Sequence, residues 1–136
     1  MLVVLCTVAL LVFSLVARES NHSETATSGS TAPPAGTAAF DRTRAAQINE
    51  ALAARERTRF HDAVAVPARS PISDSAVAAV AEAAPLDFDL STVRYNSADT
   101  ATVTARAAHE PQVMWRIYLI LDNNVWKIAA TEKQMP

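Results

Sequence analysis

The side chains able to do chemistry are few in this 136-residue chain. They are three histidines (His22, His61 and His109), one cysteine (Cys6), scattered carboxylates and a cluster of arginines. His61 and Asp62 are adjacent, and neighbouring side chains point apart on either a helix or a strand, so they form no acid–base dyad with each other. His109 and Glu110 precede Pro111 and belong to a turn exposed to water. Asp87 and Asp89, two apart, fall on one side of a strand, where edge-strand solubility accounts for them more simply than general-base chemistry. Histidines at 22, 61 and 109 have no spacing that converges on a metal, and one cysteine allows neither an internal disulfide nor a thiolate cluster. The expectation is a protein with no catalytic, cofactor or metal residues, and not an enzyme.

Arg42, Arg44, Arg55, Arg57 and Arg59 suggest contact with anionic headgroups. On a helical wheel they spread over several directions and are interleaved with Asp41, Glu50, Glu56 and Asp62, which reads as a solvated face of mixed charge. The whole chain has 12 Lys and Arg against 14 Asp and Glu. That balance supplies no field able to neutralise a run of phosphates, so nucleic acid is excluded as an expected partner.

The elements that would position these residues change character along the chain. Met1 to Ala17 (MLVVLCTVALLVFSLVA) has no charged side chain. As a helix it reaches roughly 25 Å against a hydrocarbon core of about 30 Å, a short but feasible span. A cleaved signal peptide would want a basic start, a shorter apolar run and small residues before the cut, whereas cleavage after Ala17 puts Leu15 at −3. The pattern favours an uncleaved signal-anchor over residues 1–17, inserted in the bilayer. Cys6 reads as a small buried hydrophobe within it. Residues 18–39 follow as a linker: 17 of these 22 residues are Ser, Thr, Ala, Pro or Gly, and none is a large apolar residue. Such a stretch is expected to stay disordered and to act as a tether. Asn21-His22-Ser23 within it matches a glycosylation sequon, as a Ser-rich linker also does by chance.

Residues 40–136 must hold the fold. Asp41 is a candidate N-cap, and Ala45, Ile48 and Leu52 draw an apolar stripe on a helix running to about Arg57. Phe60 to Val66 is ambiguous. Pro71 to Ala84 predicts a second helix with Ser70 as N-cap, Ile72, Val77 and Val80 inward, and Pro85 as the stop. From Leu86 the period becomes two. Val93 and Tyr95, the turn Asn96 to Asp99, and then Ala101, Val103, Ala105 and Ala107 predict a hairpin. Gln112 to Leu121 is apolar on both faces, which predicts a central strand covered on both sides. Asp122-Asn123-Asn124 supplies a tight turn, and Val125 to Thr131 returns with Trp126, Ile128 and Ala130 inward. Trp115 and Trp126 are both expected in the core. The fold class that follows is α+β, with helices on one face of a curved antiparallel sheet.

The order of helices before strands, the segment Ser97-Ala98-Asp99-Thr100-Ala101-Thr102-Val103-Thr104 and the ending Leu121-Asp122-Asn123-Asn124-Val125-Trp126-Lys127-Ile128 resemble the nuclear-transport-factor-2-like cone fold. More narrowly, they resemble the small membrane-anchored or exported actinobacterial proteins of that fold, including the Mce-associated proteins. The resemblance covers about Phe40 to Glu132. It implies a cone-like domain held outside the cell membrane by a single N-terminal span, acting as an accessory or scaffolding protein in an envelope or transport complex without catalysis. It also allows a homodimer. An alternative from the residues themselves is an exported domain binding a small apolar ligand, its cavity lined by Met114, Tyr118 and Ile120 from the second face of the long strand. The resemblance leaves a third, weaker option, an isomerase or dehydratase of the cone-fold kind.

Overall fold

A computed structural model describes residues 29–67 and 69–135. The apolar run 1–17 and residues 18–28, with the expected membrane span, Cys6 and the sequon, lie outside the described residues. Among those described, no helix is long and apolar enough to cross a membrane.

Three helices come first: α1 (Arg42–Ala53), α2 (Arg57–Ala63) and α3 (Asp74–Ala83). A four-stranded antiparallel sheet follows, β1 (Leu86–Tyr95), β2 (Thr100–Ala107), β3 (Glu110–Asp122) and β4 (Val125–Gln134), with strand order equal to chain order. This α+β arrangement is an open meander with its helices on one face, as the change of period implied.

Asp41 caps α1 by accepting from the Arg44 N–H at 2.9 Å, and the stripe Ala45, Ile48, Ala51 and Leu52 is buried. The helix ends at Ala53, earlier than expected, because Arg55 takes a positive φ of 58° and turns the chain. The ambiguous segment resolves into α2, which buries Phe60 and Ala63. Val64 and Ala65 then lie along the outer edge of β4, where the Ala65 N–H donates to the Ile128 carbonyl at 2.9 Å. The third helix starts at Asp74 with Ser73, not Ser70, as its cap. Ser73 accepts from the Ala76 N–H at 3.2 Å, and Asp74 in the first turn complements the positive helix end, a pair of advantages Ser70 and Pro71 do not offer.

In the sheet, Asn123 and Asn124 both have positive φ, 50° and 61°, forming the tight β3–β4 hairpin between the paired residues Asp122 and Val125. Ala101, Val103 and Ala105 of β2 face the helices and join a core completed by Ile48, Ile117, Leu119 and Trp126. Three register slips break the simple alternation, one of them between Arg106 and Ala107 beside the β2–β3 turn. Between Asp89 and Arg94 the phase of β1 changes, so that Leu86, Phe88 and Leu90 are half-buried while Val93 and Tyr95 are buried. In β4, Leu119 faces Ile128 but Tyr118 faces Ala130, so Ala129 is the extra residue. Ala130 is buried yet stands outside the core cluster, in contrast to its expected inward place beside Trp126 and Ile128.

The long strand β3 is central, since β2 and β4 flank it, but among the described residues it is covered on one side only. Ile117 and Leu119 are buried against the helices, whereas Met114 is 38% exposed and Arg116 is exposed on the other side. Among the described residues, all three helices precede the sheet and pack on the same face, leaving none for the other. Trp115 is half-buried at the margin of the core, while Trp126 is 1% exposed.

Residues 29–39, expected to lie free, run against the sheet. Ser30 exchanges two backbone hydrogen bonds with Tyr95, at 2.9 and 2.7 Å. The Ala38 carbonyl accepts the Trp126 indole N–H at 2.7 Å, and the Phe40 N–H donates to the Tyr95 hydroxyl at 2.9 Å. Backbone groups, not side chains, make these contacts, which is why a segment of small residues can make them.

Candidate functional site

A cleft of about 410 Å³ opens at the end of the molecule where the β3–β4 hairpin meets α1 and α2. Its charged lining is Arg44, Arg59 and Lys127 against Glu50, Asp62 and Asp122. These groups largely answer one another. Lys127 Nζ lies 2.8 Å from Asp122 Oδ2, and Arg59 lies 3.4 Å from Glu50.

Arg44 is spent differently. Its Nε donates to the Trp126 carbonyl at 2.7 Å and its Nη2 to the Asp62 carbonyl at 2.6 Å, tying α1 to β4 and to the last turn of α2. A cation on the carbonyls of a helix C-terminus also complements the helix dipole. Partial burial lowers its pKa from the ordinary arginine value, and the nearby Asp62 charge partly opposes that. It remains a cation at neutral pH, its donors already directed at main chain. Of the five arginines read as a solvated face, Arg42, Arg55 and Arg57 are exposed, and Arg57 pairs with Asp74 of α3 at 2.7 Å. Arg44 is the exception. Its position four residues before Ile48, beside the apolar stripe, is the signal that marks it.

The other candidates are dispersed. His61 and Asp62 occupy successive positions of α2, both exposed. His109 is exposed in the β2–β3 turn, with Glu110 starting β3. Asp87 and Asp89 are exposed on β1, opposite Arg106 and Thr104 of β2. Asp89 Oδ1 accepts from the Ser91 hydroxyl at 2.5 Å and the Ser91 N–H at 3.1 Å, shaping the start of the register slip. Among the described residues, no group of three or more His, Cys, Asp or Glu side chains is placed to hold a metal ion.

Met114, Tyr118 and Ile120 lie on the face of the sheet away from the helices. Met114 borders a second cleft, of about 580 Å³, shared with Arg42, Asn49, Asp87 and Arg106 at the β1 side. Tyr118 and Ile120 line neither cleft. The Tyr118 hydroxyl donates to Glu132 Oε2 at 2.8 Å, and Arg116 lies 3.6 Å from the same oxygen. Partial burial, seconded by that bond, holds the Tyr118 phenol above its ordinary pKa.

Asn49 went unmarked in the sequence. Its amide oxygen accepts the Leu86 N–H at 2.7 Å and its amide nitrogen donates to the Leu86 carbonyl at 2.8 Å, so that one side chain pins the start of β1 to α1. The signal was its place four residues after Ala45, beside the buried stripe, but its partner is 37 positions away. A scan of protein-family models and searches of curated proteins and of solved structures return no match to this chain.

Proposed function

We propose that this chain is a membrane-anchored accessory protein, its α+β domain held outside the cell membrane where it binds or steadies a larger envelope or transport assembly without catalysing a reaction. The observation that carries this reading is the closeness of two unlike parts. The uncharged run Met1–Ala17 ends only eleven residues before Gly29, where the chain joins the folded domain. Eleven residues reach at most about 40 Å, so an anchor of this kind keeps the domain near the bilayer surface. Helices followed by an antiparallel meander, ending in a tight Asn-Asn hairpin and a buried tryptophan, accord with a cone-like fold of the nuclear-transport-factor-2-like kind and with the small anchored proteins that carry it. The ionic groups of the hairpin-end cleft face one another, an arrangement suited to holding a surface in shape.

The test is made on the full-length tagged chain in membranes. Intact mass should show residues 1–17 retained, alkaline carbonate should leave the chain in the membrane fraction, and external protease should digest the domain in unbroken cells. Crosslinking before detergent extraction should then yield a partner of fixed stoichiometry. A chain released by carbonate, cut near Ala17 and recovered alone refutes the anchored reading and favours an exported domain.

A further inference from the structure

Residues 29–39 present an unusual balance of forces. Apart from the two glycines, the segment contains only Ser, Thr, Ala and Pro, and most of it is exposed. It brings no large apolar side chain to the core until Phe40, which is buried against Phe88 with ring centroids 5.5 Å apart. What holds the segment is the Ser30–Tyr95 pair of backbone bonds, the Trp126 indole on the Ala38 carbonyl and the Phe40 N–H on the Tyr95 hydroxyl. A turn in the middle is set by Gly36, whose φ is +80°, with the Thr37 N–H returning to the Pro34 carbonyl at 3.1 Å. Few hydrogen bonds thus stand against the ordering of many backbone units, with almost no apolar burial to help.

What the segment covers is of the opposite kind. Tyr95 and Trp126 come from the two edge strands, yet their ring centroids lie 5.6 Å apart, and the cross-strand partner of Tyr95 is the small residue Ala101. Both are buried, and the polar atom of each side chain is directed at the segment. Both rings belong to the hydrophobic core cluster, whereas residues 29–39 bring no side chain to it.

We infer that residues 29–39 form a strap, hinged at Phe40, that opens as a unit below global unfolding and uncovers the Tyr95–Trp126 pair. The strap enters beside Tyr95, at its upstream end, so whatever pulls on or binds the chain before Gly29 acts first on the Ser30–Tyr95 bonds and then on the indole of Trp126. Gly29 makes the closed state reachable. A Cβ there would lie 2.6 Å from Asn96 Oδ1, 2.9 Å from Arg94 Cβ and 3.1 Å from the Tyr95 carbonyl oxygen, and the last two cannot swing aside as a side-chain tip does. Gly29→Val therefore obstructs closure without touching the core.

Hydrogen exchange of the full chain in mild detergent tests this, together with acrylamide quenching of Trp126 in a Trp115→Phe background. The Ser30, Phe40 and Tyr95 amides should exchange about 100-fold faster than the amides of Ala101 to Ala105 and of Ile117 to Leu119, yet slower than in a free peptide. Gly29→Val should bring those three to free-peptide rates and make Trp126 more quenchable, with the β2 and β3 amides changed by less than about threefold. Equal protection of strap and sheet, both falling together in Gly29→Val, overturns the inference because the strap would then be part of one cooperative unit. Free-peptide rates in the unaltered chain overturn it too, since the closed strap would not be the resting state.

Discussion

Replacing Asn49 tests whether one amide positions the whole sheet against α1. Its two hydrogen bonds to Leu86, at 2.7 and 2.8 Å, are partly buried, and each contributes about 0.5–1.5 kcal/mol net. Asn49→Ala should therefore cost about 1–3 kcal/mol. The change exposes little new surface, so the urea midpoint should fall while the m-value stays constant. Asn49→Asp is more informative. An introduced carboxylate still accepts the Leu86 N–H, but its second oxygen meets the Leu86 carbonyl, acceptor against acceptor. The protonated form restores a donor there, so folding raises the pKa of the new group above its unfolded value near 3.9. A raised folded pKa means stability that is present below the unfolded value and lost as pH rises through the folded one. The penalty of Asn49→Asp relative to the unaltered protein should thus be large at pH 7 and shrink toward pH 4, measured as paired urea midpoints at each pH. A gap that does not change with pH, or an alanine variant within about 0.5 kcal/mol of the parent, refutes the clamp.

The two tryptophans should separate in the same assay: Trp126→Ala should cost about 3–5 kcal/mol as a core truncation, and Trp115→Ala, half-buried, about 1–2 kcal/mol. Equal losses would contradict the placement of Trp115 at the margin of the core. Arg55→Gly relieves a non-glycine residue at φ 58° and should raise stability by about 0.5–1 kcal/mol, read as a higher melting temperature. The phenol of Tyr118 is held above its ordinary pKa, so its contribution is present below the unfolded value near 10 and is lost as pH rises through the raised folded value. Tyr118→Phe should flatten the alkaline limb of the stability curve, and an unchanged limb would show that other groups govern it.

Local signals named the elements whose causes are local. The Asp41 cap, the stripe Ala45, Ile48 and Leu52, the alternation Ala101, Val103, Ala105 and the Asn123-Asn124 turn each involve residues within a few positions of one another, and each appears in the structure. The same reasoning misjudged β3, because apolar residues on both faces of a strand report a tolerance for burial and not the presence of a covering layer. Among the described residues all three helices lie on one side, so Arg116 of β3 stays exposed and Tyr118 and Ile120 stay only half-buried. Alternation also failed across the slips after Asp89 and at Ala129, since an odd number of extra residues, three on β1 and one on β4, inverts the face of all that follow until the next correction.

By itself, the sequence determined an uncharged apolar start, a stretch of small residues without large apolar side chains and an α+β domain of helices before strands, because composition and period are properties of neighbours. Only the tertiary structure decided that Arg44 ties three elements together, that Asn49 clamps Leu86, and that Ser30, Ala38 and Phe40 close over Tyr95 and Trp126. Those contacts join residues 18 to 88 positions apart, several through backbone groups that every residue carries, so no local pattern of side chains could encode them.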